Sequence, residues 1–171
     1  MKKPLLIVVA IIVIALAVLA AYMGVFTSVQ VEERMLGPFT LVYREMNANN
    51  LKLVGEITDS LSAILAAKKI ESRKPLDVFY PDGHAEIGFA VEGYIPEQIA
   101  FPADVAKVRT ISAQQCMAVT FPWRNPLSFI VGYMKVDPAL AKHRKERGYA
   151  QSEAYSLNNG DTITYFQPIV K

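Results

Sequence analysis

The stretch FYPDGHAEIGF, residues 79 to 89, places an acid, a glycine and one of the chain's two histidines between aromatic side chains, a grouping that could serve acid–base catalysis. Other side chains with chemical potential are scattered: Glu45, Glu92, the single cysteine Cys116 inside QCMAVTF, and His143 in the basic run KHRKERG. A lone cysteine allows neither an internal disulfide nor a thiolate cluster, and neither histidine has a second ligand at metal-binding spacing. No metal and no cofactor is therefore expected. Cys116 lies in an apolar, strand-like context that suits a buried thiol better than a nucleophile.

The neighbours of Asp82-Gly83 decide between a site and a turn. Ala85, Ile87, Phe89 and Val91 alternate with Glu86, Gly88, Ala90 and Glu92, the period of a half-buried strand, which leaves the glutamates on the solvated face. LDVFYP, just before, is a second short apolar strand, and Asp82-Gly83 is the dipeptide best able to take positive φ in a two-residue hairpin loop. DGH is read as a turn. A similar piece, YSLNNGDTITYF, lies near the C-terminus, with Asn159-Gly160 in the place of Asp82-Gly83. At the same interval, FTLVYREM from Phe39 is matched by CMAVTFPW from Cys116.

A helix follows each member of that second pair. The first comes after the caps Asn49 and Asn50, carries Leu53, Ile57, Leu61, Ile64 and Leu65 at helical spacing, and ends near Ile70, before Pro75. The second has Asn125 as cap, Pro126 in the first turn and Phe129, Ile130, Tyr133 and Met134 as its expected buried stripe. Asp137-Pro138 predicts a kink or restart, and Gly148 an end. GYIPEQIAFPADVAKV is a proline-punctuated connection leading into an additional strand at about Val105 to Ile111. The reading is an α+β domain over 36–171, two β-α-β-β units (about 36–94 and 105–171) sharing an antiparallel sheet with two helices.

Ahead of it, residues 4–26 carry no charge. Twenty residues from Pro4 to Met23 would cover about 30 Å as a helix, so a transmembrane anchor over 1–26 and a juxtamembrane linker over 27–35 are expected. A cleavable signal peptide is the rival, but its apolar core is usually about 7 to 15 residues. Lys2 and Lys3 put the N-terminus in the cytoplasm and the domain outside, in the periplasm if the chain is bacterial. Without those lysines the remainder is formally neutral, which argues against nucleic acid as a partner. The basic run KHRKERG reads as a solvated helix end.

The order and spacing of LDVFYPDG, ISAQQCMAV, AKHRKERGY and the final FQPI resemble the gyrase-inhibitor-like (GyrI-like) small-molecule-binding superfamily. That superfamily has tandem repeats of the SHS2 kind and is related to the SOUL haem-binding proteins. With the N-terminal apolar segment, GPFTLVY and VFYPDG are also similar to the vertebrate testis-expressed autophagy receptor family of the endoplasmic reticulum. The chain stops at Lys171, so that family's receptor tail and function are not expected. The resemblance implies a groove between repeats, lined by aromatic and aliphatic side chains, that holds a small apolar or amphipathic ligand. Candidate lining residues are Tyr43, Phe101, Trp123, Tyr133 and Tyr165. Some relatives hydrolyse electrophilic compounds with a glutamate four positions before the proline of the last strand; here Pro168 puts Thr164 there, which cannot act as that base. Glu45, Glu86 and Glu92 are the substitutes an enzyme would need. The expected function is non-enzymatic ligand binding at a membrane, with a hydrolase or a protein-interaction platform as alternatives.

Overall fold

The computed structural model describes the backbone of residues 2–50, 52–94, 96–102 and 104–171, and every side chain within these except those of 2–6, 98, 126 and 127. The elements in chain order are α1 (Lys2–Tyr22), β1 (Glu32–Leu36), β2 (Phe39–Asn47), α2 (Lys52–Ala67), β3 (Arg73–Phe79), β4 (His84–Val91), β5 (Lys107–Ile111), β6 (Gln114–Pro122), α3 (Pro126–Arg147), β7 (Ala154–Asn158) and β8 (Thr162–Pro168). All eight strands form one antiparallel sheet in the order β1-β6-β8-β7-β3-β4-β2-β5.

The order reads the same from either edge when each strand is replaced by its counterpart in the other half. β1 of the first half pairs with β6 of the second, and β5 of the second with β2 of the first, so each half lends a short edge strand to the other. The repeating unit is therefore β-β-α-β-β, one strand longer than expected. Register also corrects the alignment of the halves: Leu36 faces Gln114 as Ile111 faces Phe39, which makes Phe39 the equivalent of Gln114 rather than Cys116. A slip of two residues leaves every side chain on its own face, so alternation by itself cannot detect it.

The two predicted turns also differ in detail. Tyr80 N–H donates to the His84 carbonyl at 2.9 Å and Gly83 N–H to the Tyr80 carbonyl at 3.1 Å, while Gly83 has φ +86°. That is a three-residue loop, Pro81 to Gly83, with the glycine in the left-handed position. At the second hairpin Asn159 N–H donates to the Thr162 carbonyl at 2.8 Å, so the loop residues are Gly160 and Asp161.

Both helices lie on one face of the sheet. Leu61 and Leu65 of α2 pack on Val42, Phe89 and Val91, and Val136 and Leu140 of α3 pack on Met117, Phe121 and Ile163. The expected α3 stripe is corrected: Ile130, Tyr133 and Met134 are exposed, and the sheet-facing line is Phe129, Gly132, Val136 and Leu140. Its centre is a glycine, which an apolar count overlooks. A Cβ on Gly132 would lie 2.9 Å from the Tyr165 hydroxyl and 3.0 Å from Phe121, so only the bare backbone lets α3 come this close. α3 continues as one helix through Pro138, with Val136 and Leu140 buried on either side. That double anchoring offsets the missing hydrogen bond.

The opposite face bears no helix, yet Leu41, Leu76, Val78, Cys116, Ala118 and Phe166 are buried there. The sheet covers itself. Phe39 of β2 and Phe166 of β8, four strands apart in order, have ring centroids 6.2 Å apart, where a flat sheet would separate them by about 19 Å. The curl explains why β4 is buried on both sides rather than half-solvated.

The anchor reading is overturned. Among the described residues no helix is long and apolar enough to cross a membrane. α1 is a helix whose described apolar side chains, from Ile7 onward, are exposed. The predicted positions Pro4 to Leu6 lie outside the described side chains. Single-pass localisation with the domain outside falls with it, because Lys2 and Lys3 then have no span to orient. Helix α3 is tied to this end of the chain: Lys135 Nζ donates to the Val25 and Thr27 carbonyls. His143 and Tyr149 hold the Glu33 carboxylate of β1 at 2.9 and 3.1 Å, so the basic run is more than a solvated helix end.

Candidate functional site

On the helix-bearing face the central strands β3 and β7 lie beneath the gap between α2 and α3, and a cavity of about 250 Å³ opens there. Its walls are Val54 of α2, Phe129 of α3 and Trp123. Its floor is Pro75 and Asp77 of β3, Ser156 and Asn158 of β7, and Ile163 of β8. Period two puts Asp77 here, since Leu76 and Val78 point to the opposite face.

Asp77 is the chemically distinctive group. Asp77 is partly buried and reaches solvent through the cavity, and burial pushes its carboxyl up to about 7. The Gly88 N–H, donating to Oδ1 at 3.4 Å, opposes this weakly. Among the described residues no basic side chain lines the cavity. Ser156 faces Asp77 directly in the β3–β7 register and is itself buried. An acid between apolar walls without a counter-ion is an arrangement that accepts either a proton or a cation.

Asp77→Asn keeps the shape and removes the ionisation. With a folded-state value of about 7 against ~3.9 unfolded, the penalty for charging Asp77 is absent below about pH 4, grows to about pH 7 and is constant above. The asparagine variant is therefore expected to gain stability over wild type as pH rises from 5 to 8, on the order of 2 kcal/mol or a melting-temperature gap of about 4–8 °C. A gap independent of pH in thermal scans would show a carboxylate that water solvates well.

The structure disperses the five aromatic candidates. Trp123 lines the cavity, and Tyr165, 6% exposed, lies behind Phe129 with ring centroids 6.1 Å apart and its hydroxyl donating to the Phe129 carbonyl at 3.3 Å. Tyr133 is 56% exposed on the outer side of α3. Phe101 packs beside α2, with Lys68 Nζ 5.1 Å from its ring centroid. Tyr43 is buried on the opposite face.

The three glutamates are all ion-paired away from the seam. Glu45 pairs with Lys107 at 2.6 Å and Glu92 with Lys74 at 2.5 Å, both exposed. Glu86, expected in solvent, is 4% exposed on the opposite face, where its Oε2 accepts from Arg109 Nε at 2.9 Å and Nη2 at 2.7 Å. Arg109 Nη2 also donates to the Tyr80 hydroxyl, which burial and the Glu86 charge push up to about 12. Burial likewise pushes the Cys116 thiol up to about 11, which keeps it a thiol at neutral pH. A second cavity, about 430 Å³, opens at one end of this face beside Phe39, Ala90 and Leu157, but its charges, Lys74 and Glu92, neutralise each other.

Of the seam residues the reading of the sequence assigned only Trp123 to a site; Asp77, Ser156 and Phe129 are the unassigned ones that matter most here. A signal for Asp77 was present: an acid within LDVFYP, on the face it shares with Pro75 and Phe79, is a charge where an apolar residue is expected.

The architecture is an α+β fold that also occurs in solved structures of other proteins. Among solved structures, it is similar to a bacterial transcription regulation protein from Staphylococcus aureus, with 11% identity, TM-score 0.57, and 83% of this chain and 99% of that one covered. It is similar also to SAV2435 bound to tetraphenylphosphonium (14% identity, TM-score 0.56, covering 82% and 93%) and to the C-terminal domain of EcmrR (10%, 0.54, covering 84% and 98%). No protein-family model matches the sequence and no curated protein matches it. At these identities the likeness establishes the fold.

Proposed function

We propose that this domain binds a small, largely apolar molecule bearing a positive charge in the seam between its two helices. The observation that carries the reading is Asp77, a carboxyl without a basic partner among the described residues, at the floor of a cavity walled by Trp123 and Phe129. Apolar walls favour desolvation and ring stacking, and a lone, partly buried acid favours a cation over a neutral molecule of the same shape. That SAV2435, a protein of this fold, is seen with tetraphenylphosphonium supports a ligand of this character.

Trp123 is the only tryptophan, so its fluorescence reports on the seam directly. Titration with tetraphenylphosphonium, benzyltrimethylammonium, 2-phenylethylamine and benzyl alcohol is expected to give a saturable change with at least one cation. Val54→Phe, which fills the cavity from the α2 side, is expected to weaken that response at least tenfold. Flat titrations across all four, or a response untouched by Val54→Phe, would overturn the reading.

A further inference from the structure

The size and the polar groups of the seam narrow the ligand further, given the reading just stated. At about 30 Å³ for each water-sized occupant, a cavity of about 250 Å³ holds roughly eight. A molecule of about eight to ten non-hydrogen atoms therefore fills it, the scale of one ring with a short side chain. Tetraphenylphosphonium, with four phenyl rings, exceeds that volume and seats only part of itself in the open cleft, while Gly132 holds α3 close against Tyr165 and Phe121.

The floor sorts cations by their hydrogens. Asp77 and Ser156 are direct cross-strand partners on the same face, so their side chains lie about 5 Å apart at Cβ and stand side by side on the floor. A carboxylate and a hydroxyl together offer acceptor sites for two N–H donors. A protonated primary or secondary amine satisfies both, whereas a quaternary ammonium or a phosphonium presents only C–H and leaves Ser156 without water and without a partner. Charge-assisted hydrogen bonds to a carboxylate are the stronger kind, and the aromatic walls take the ring.

We infer that the seam selects a protonated primary or secondary amine carrying a single ring, its N–H groups on Asp77 and Ser156 and its ring between Trp123 and Phe129. In the full chain, 2-phenylethylamine is expected to bind at least tenfold tighter than benzyltrimethylammonium or tetraphenylphosphonium, as read by Trp123 fluorescence. Asp77→Asn is expected to weaken 2-phenylethylamine at least tenfold and to leave benzyl alcohol within about twofold. Ser156→Ala is expected to narrow the gap between 2-phenylethylamine and benzyltrimethylammonium. Far-UV circular dichroism and thermal scans confirm that each variant is folded. Equal or tighter binding of the quaternary cations, or amine binding indifferent to Asp77→Asn, overturns this inference while leaving a ligand-binding seam in place. Silence of the wild type toward all four compounds removes the seam reading beneath it as well.

Discussion

Replacing Arg109 with methionine is expected to destabilise the domain by about 3–5 kcal/mol near neutral pH, measured by urea unfolding. Arg109 makes two hydrogen bonds to the Glu86 carboxylate, whose side chain is 6% exposed, and a third to Tyr80. Methionine keeps much of the stem's apolar contact but leaves a carboxylate inside the curled face with no cation. Restoring neutrality separates that charge from the lost packing: adding Glu86→Gln to the same chain should recover most of the loss. A buried pair replaced as a unit is often close to neutral, while half a pair is not. If the single variant loses less than about 1 kcal/mol, or the double variant is no better than the single, Glu86 is not held there as a desolvated anion.

The second large effect is steric. Gly88 lies opposite Tyr43 in the β2–β4 ladder, and a Cβ added there would fall 2.0 Å from the Val42 carbonyl oxygen and 2.8 Å from the Tyr43 Cα. Both are backbone atoms in interior strands, with no flexible side chain to move aside. Gly88→Ala must therefore push β2 and β4 apart where they support one core cluster on each face, and a loss of at least about 4 kcal/mol, or failure to fold, is expected. Gly83→Ala is the control. Gly83 has open space around its missing Cβ and costs only the strain of φ +86°, about 1 kcal/mol. Urea midpoints that place the two variants together would show that the strands at Gly88 yield easily.

What could be read along the chain was what neighbouring residues settle between themselves. Positive φ in the loops containing Gly83 and Gly160, the strand at His84–Val91 and the helix after Asn125 all follow from side chains within a few positions of one another. What lay out of reach was whatever depends on distant strands closing on each other. Alternation correctly separated the faces of β4 but assigned Glu86 to water, because it assumes that a sheet has a dry side and a wet side. Curling makes both sides dry, and Arg109, 23 residues on, supplies the countercharge.

The same physics divides the site. Trp123 was legible as a groove candidate through the resemblance, but its companions Asp77 and Ser156 become neighbours only when β3 and β7, ends of different halves, pair at the centre of the sheet. The burial of α3 turned on a glycine, because closeness of approach depends on the partner surface of Phe121 and Tyr165, not on the helix's own apolar count. Local sequence determined the elements, their turns and their near-duplication, since torsional preference and period act over a few residues. The tertiary structure decided the exchanged edge strands, the two-residue offset between halves and the seam with its unpaired acid, since each depends on how eight twisted strands close together.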